Sequence, residues 1–148
     1  MKMQKATRCA LFAVLELARD PGRQLSATDI AEKYGISSNH LAKVLRDLGR
    51  AGLVESVRGA GGGYRFSGNV KRVTLYDIIQ LFEDVGADCD TAPEAGDETD
   101  IGKALCILMQ EVDDIARATL RSVTVDTLLK STSWPVPQHL DQAHKAEV

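Results

Sequence analysis

Three cysteines, Cys9, Cys89 and Cys106, and a group of amide and basic residues between Ser38 and Arg65 are the side chains of this 148-residue sequence whose types could do chemistry. An odd number of widely spaced cysteines is unsuited to a disulfide framework. Three roles stay open for them: buried thiols, metal ligands or a redox switch. Ser38, Asn39 and His40 stand together, and Lys43, Arg46 and Arg50 follow at helical spacing. Hydroxyl, amide and imidazole groups can pair with base edges, asparagine with adenine in particular, while lysine and arginine attract phosphates. Arg58 and Arg65 flank a run in which Gly59, Gly61, Gly62 and Gly63 leave out the side chain. Such a run allows a tight turn and lets the backbone amides of Gly61 and Gly62 approach a phosphate. No Lys-Ser or Lys-Thr follows it, which argues against a nucleotide-binding loop. With no Ser-His-Asp arrangement or metal-protease motif either, the chain reads as a non-enzyme.

The elements that must position these residues can be read from periodicity and punctuation. Thr7 to Arg19 carries Leu11, Val14, Leu15 and Ala18 at the spacing of an amphipathic helix, stopped by Asp20-Pro21-Gly22. Ser26 and Asp29 resemble a capping box opening a short helix through Tyr34, which Gly35 ends. Ser37 is placed to cap a third helix with the stripe Leu41, Val44, Leu45 and Leu48, closed by Gly52. A turn of about three residues between the second and third helices is helix-turn-helix spacing. Leu53 to Val57 and Tyr64 to Phe66 then read as the strands of a hairpin wing around the loop from Arg58 to Gly63. Thr74 caps a further helix carrying Leu75, Ile78, Ile79 and Phe82.

The second half has another character. From Glu83 to Asp100 there are eight acidic residues and no Lys or Arg, with Gly86, Pro93 and Gly96 breaking any regular pattern, which predicts a mobile acidic loop. Ile101, Leu105, Leu108, Val112, Ile115 and Thr119 then alternate by four and three, a narrow seam suited to a partner helix. A last helix is predicted near Thr124 to Leu129, ahead of a polar tail containing Trp134-Pro135-Val136-Pro137. The fold class is therefore mostly α with a small β-hairpin wing. Its organisation is a winged helix-turn-helix domain over 1–84, an acidic sensor loop over 85–100, a dimerisation helix with a short helix over 101–130, and a polar tail over 131–148.

Charge divides along the same line. Met1 to Tyr76 holds 13 Lys and Arg against 6 Asp and Glu, and Asp77 onward holds 5 against 15, so the overall charge of -3 averages a basic half and an acidic half. Phosphate attraction depends on the local patch, and this asymmetry predicts a nucleic-acid module joined to a dimerisation or regulatory one. The polar, basic start lacks an apolar core of signal-peptide length, and no stretch reaches the roughly 20 apolar residues that cross a bilayer. A cytoplasmic protein with no membrane partner is the expectation.

The run Asp29 to Ser37, then Leu41, then Gly52 to Tyr64 with its wing segment Val57-Arg58-Gly59-Ala60-Gly61-Gly62-Gly63-Tyr64, resembles the IscR and NsrR group of regulators, the Rrf-two family. Thr7-Arg8-Cys9-Ala10-Leu11 and Val73 to Glu83 also match, and the likeness continues more weakly through the dimer helix. The resemblance implies a homodimer that binds a palindromic operator in double-stranded DNA under a redox or metal signal. Within that fold the start of the third helix, Ser38, Asn39 and His40, points into the major groove. Lys43, Arg46 and Arg50 reach phosphates, and Arg58 and Arg65 reach phosphate or the minor groove.

The family also frames the cysteines. Cluster-binding members carry three cysteines in the loop before the dimer helix, whereas this chain has only Cys89 there, with Cys106 seventeen positions later. Cys9 lies in the first helix, where some relatives supply a ligand from the opposite subunit, so the resemblance allows Cys9, Cys89 and Cys106 to meet at a dimer interface. Thiolates there would suit a [2Fe-2S] or [4Fe-4S] iron-sulfur cluster, with Asp88 or Asp90 as a fourth ligand. His40 is committed to DNA, and His139 and His144 lie in the tail. Other readings stay open: oxidation of Cys89 resolved by Cys106, which the surrounding acids would slow; plain buried thiols at Cys9 and Cys106; a small-molecule effector; or a cluster carrier or redox protein that uses the winged fold without an operator.

Overall fold

The computed structural model describes residues 2–86 and 92–132. Among them the elements run α1 (Lys5–Ala18), α2 (Ala27–Tyr34), α3 (Ser38–Arg50), β1 (Val54–Val57), β2 (Gly63–Phe66), α4 (Leu75–Ile79), α5 (Asp100–Ser122) and α6 (Val125–Ser131). This is a helical protein with one antiparallel hairpin, the winged-helix arrangement.

Local chemistry sets α2 and ends α3. Both bonds of the Ser26–Asp29 capping box form, and Gly35 terminates α2 at a left-handed φ of 63°. Ser37 occupies the N-cap position of α3 but makes no side-chain capping bond, unlike the role its type suggested. At the other end Gly52, at φ 77°, turns the chain so that the Leu53 amide donates to the Leu48 carbonyl at 3.1 Å. The wing pairs Val54 with Phe66, Glu55 with Arg65, Ser56 with Tyr64 and Val57 with Gly63. A third partner was not legible in the sequence: Leu25, ahead of α2, exchanges backbone bonds with Tyr64 at 3.0 and 2.8 Å. A Cβ on Gly63 would sit 2.4 Å from the Leu25 carbonyl oxygen, so this glycine serves strand contact.

The core forms around α1. Cys9, Ala10, Leu11, Ala13, Val14, Leu17 and Ala18 are buried, because α2, α3, α4, α6 and β2 all pack against this helix. The apolar stripe Leu11, Val14, Leu15 and Ala18 predicts one buried face, and the structure widens it with Cys9, Ala10, Ala13 and Leu17, as suits a helix at the centre. Its entry is fixed from far along the chain, where Glu83 Oε2 accepts from the Gln4 amide at 2.8 Å and from the buried Thr7 hydroxyl at 2.6 Å.

Past β2, Thr74 and Asp77 form a second capping box opening α4, which ends at Ile79 and leaves Phe82 in the following turn. Residues 95–98 form a turn over the start of α5, with Asp97 accepting from the Glu94 amide at 2.6 Å. A Cβ on Gly102 would lie 2.1 Å from the Gly96 carbonyl oxygen, so the glycine permits this close approach. Within the described part of the acidic segment, residues 95–98 thus form a turn. α5 buries no side chain along its 23 residues. α6 then returns to the body: the Val125 amide donates to Val73 O at 2.8 Å, the Leu75 amide to Val123 O at 2.9 Å, and Val125 is fully buried. No helix among the described residues is long and apolar enough to cross a membrane.

Candidate nucleic-acid interface and cysteine positions

α3 divides cleanly into two faces. Leu41, Val44, Leu45 and Leu48 are buried against the core, which leaves Ser38, Asn39, Lys43, Arg46 and Arg50 exposed on the outer side. Arg50 lies 3.6 Å from Asp47, both well exposed, a contact worth little against a phosphate. His40 departs from the expected set: it is half-buried, and its Nε2 is enclosed with no hydrogen-bond partner. That nitrogen turns inward and is not the atom a base edge would meet.

The wing brings Arg58 to an exposed tip, between Val57 and the positive-φ glycines Gly59 (111°) and Gly61 (76°). Gly61 is open to solvent, while a Cβ on Gly62 would lie 2.5 Å from the Val57 carbonyl oxygen, so Gly62 is needed to close the turn whatever it binds. Arg65 is exposed but ion-paired across the strands with Glu55, so it does not stand free for phosphate as the sequence suggested. On the other side of the helix-turn-helix, Phe12 stacks on Tyr34 at 4.7 Å between ring centroids, and Glu16 accepts from Lys33 at 2.7 Å and from the Tyr34 hydroxyl. Burial pushes the Glu16 carboxyl up, but the bonds from Lys33 and Tyr34 outweigh it and hold the group below its ordinary value. Burial and the Glu16 carboxylate together raise the Tyr34 phenol to about 12. This cross-link fixes α2 on α1, and so the angle at which α3 is presented.

The two described cysteines sit in different settings, Cys9 buried and Cys106 exposed. Cys9 is 3% exposed within the core, and burial pushes its thiol up against the opposing pull of Lys5 and Arg8. Cys106 is exposed on α5, on a groove of about 620 Å³ lined by Glu94, Asp97, Glu98, Lys103 and Met109 among others. Cys89, with Asp88 and Asp90, lies outside the described residues, as do His139, His144 and the tail from residue 133.

A family of transcriptional regulators described as iron-dependent, Rrf2, matches residues 3–131. The chain belongs to the Rrf2 family. Among Rrf2-like relatives, a protein of Rhodopseudomonas palustris named as the HTH-type transcriptional regulator BadM is 61% identical over 130 residues, 88% of this chain and 82% of that one. Of solved structures, CymR of B. subtilis, described as its global cysteine regulator, superposes with a TM-score of 0.73 at 28% identity, over 88% of this chain and 97% of that one. IscR of T. potens gives 0.72 at 25% identity, over 95% and 96%. The mostly helical fold with its wing is thus that of Rrf2 regulators.

The Rrf2 description names iron, and of the two described thiols Cys106 is the accessible one. Burial and the raised thiol disfavour the thiolate form of Cys9 within one chain. No group of three or more His, Cys, Asp and Glu converges among the described residues to hold a metal ion. Two residues that position the Rrf2 scaffold went unnoticed in the sequence. Arg117 binds the carbonyls of Val85 and Gly86, and Glu83 holds the start of α1. Partners 31 to 79 positions apart leave no local pattern to read.

Proposed function

We propose that this Rrf2 protein is a homodimeric transcription regulator of the cytoplasm that reads a palindromic operator with α3 and the wing. The observation that carries the reading is α5. Over about 35 Å of helix no side chain is fully buried and only Leu120 among the apolar ones packs on the core, while Ile101 is 75% exposed, Ile115 68%, and Leu105, Leu108 and Val112 about half. These five share one face, and a second copy of the same stripe is the occupant that a two-fold axis supplies. Met109 widens the stripe, while Ile107, also exposed, lies about 120° round the helix from Ile101. In such a dimer Ser38 and Asn39 face base edges, and Lys43, Arg46, Arg50 and Arg58 face phosphates. Gly61 and Gly62 bring the wing backbone close to the duplex, and Arg65 does so after exchanging Glu55 for a phosphate. His40, half-buried with its Nε2 enclosed, keeps only its outer edge for the duplex.

Sedimentation equilibrium and footprinting test this together. A dimer protecting two symmetric half-sites on adjacent turns of the duplex supports the reading; a monomer at micromolar concentration, or a dimer indifferent to sequence, refutes it.

For the signal, the reading narrows from three thiols to Cys89 and Cys106. Exposure favours Cys106, and burial counts against Cys9. Protein purified without oxygen and assayed for colour, iron and acid-labile sulfide separates the chemistries. Colour lost on replacing Cys89 or Cys106 but kept on replacing Cys9 indicates a cluster sensor. A colourless protein whose DNA affinity falls reversibly with oxidant, and only while Cys89 and Cys106 are present, indicates thiol switching.

A further inference from the structure

We infer that Arg117, seconded by Arg121, sets the operator half-site spacing that the dimer accepts. The inference rests on the dimeric, operator-binding reading above. α5 has no fully buried side chain, and of its apolar residues only Leu120, near its C-terminal end, packs against the core of the winged body, so apolar packing anchors one end of the helix and leaves its direction to other contacts. Two arginines one turn apart supply them. Arg117 Nε donates to Val85 O at 2.8 Å and its Nη2 to Gly86 O at 3.0 Å, while Nη1 meets Asp114 at 2.8 Å. The guanidinium therefore spends its fork on two successive carbonyls at the end of the winged half. Arg121 lies over the ring of Tyr76, in α4, at 4.3 Å.

The contact has little play. Gly86 takes φ 83°, and a Cβ there would stand 2.5 Å from Arg117 Nη2 and 2.7 Å from Asp113 Cβ. At 100° per residue, Arg117 and Arg121 lie about 160° and 200° round the helix from Ile101. The arginine face is thus opposite the apolar stripe. One side of α5 is tied to the DNA-binding body and the other is offered to the second copy. The angle that the arginines impose is carried through the two-fold axis into the distance between the two α3 helices. Since the duplex repeats every 10 to 10.5 base pairs, that distance decides which half-site spacing fits.

The test uses the full chain and duplexes that the wild-type protein selects from a random library. The same duplexes are then made with one or two base pairs added or removed at the dyad, along with a single half-site. Wild-type protein is expected to prefer its selected spacing by roughly tenfold, about the effect of one mismatched base pair. Arg117→Ala is expected to bind all spacings within about threefold of one another, with half-site affinity and dimerisation unchanged. Arg117→Lys, which keeps the charge and loses the fork, should fall between and guards against a variant that fails to fold. A variant that keeps the wild-type preference, or that loses affinity equally at every spacing and on the half-site, overturns the inference while leaving the dimer reading intact. A wild-type protein that selects no two-fold symmetric site removes both.

Discussion

Glu55 sits opposite Arg65 in the register of the wing, so the guanidinium that a phosphate would attract already has a carboxylate beside it. An exposed pair of this kind is worth at most about 1 kcal/mol, and a phosphate can displace it. Glu55→Gln is therefore expected to tighten binding to every DNA sequence, whereas Arg65→Ala should weaken it and lower the salt slope by about 1 per protomer. Unchanged slopes in titrations of both variants would take the wing arginine out of the interface. Asn39→Ala should act differently, costing about 1 to 3 kcal/mol of discrimination at one base pair, measured by competition between operator variants. The Glu16–Tyr34 bond has its own signature in pH. The lowered Glu16 contributes stability that is present above its unfolded value of 4.5 and is lost as pH falls through its folded pKa. The raised Tyr34 contributes below its unfolded value of 10.0, and that is lost as pH rises toward about 12. Tyr34→Phe should cost about 1.5 kcal/mol at neutral pH and flatten both limbs of a stability profile from urea melts. The α3 stripe put Ser38, Asn39, Lys43, Arg46 and Arg50 on the exposed face, but residue types did not reveal the direction of His40 Nε2 or the pairing of Arg65, since both depend on what the fold sets beside them.

At the scale of elements, capping and periodicity carried most of the information. The Ser26 capping box, the Thr74 cap, the α3 stripe and the glycine stop at Gly52 all act within a few residues of their own position, and each formed where the sequence placed it. The contact between Leu25 and β2 did not announce itself, because one bridging residue has no period. It yields a sharp prediction: Gly63→Ala should destabilise the fold by roughly 2 kcal/mol, since the added methyl must displace the Leu25 backbone. A thermal melt equal to wild type would show that the wing adjusts freely. α5 offers its exposed apolar face to a partner. Leu108→Asp should weaken dimerisation by roughly two orders of magnitude, because an isologous contact would bury the carboxylate twice. Sedimentation at several concentrations checks this, and a variant that stays dimeric would place the partner elsewhere.

Across the whole molecule, the basic winged half and the acidic second half must act separately, or a net charge of -3 would oppose DNA. Binding is expected to fall steeply with salt, with a log–log slope of roughly -6 to -10 for a dimer. A slope near zero would mean that phosphates contribute nothing. The sequence by itself determined the helix-turn-helix, the wing, the charge division and the apolar stripe of α5. Each is written in neighbouring residues, through hydrogen bonds to nearby backbone or through a period that matches one helix or strand. Tertiary structure alone decided that α1 is a central helix, that Cys9 is sealed while Cys106 is exposed, that Glu83 holds the start of the chain, and that Arg117 ties α5 to the body. Those outcomes join positions far apart in sequence, where burial and pairing follow from which surfaces meet, and no local pattern encodes that meeting.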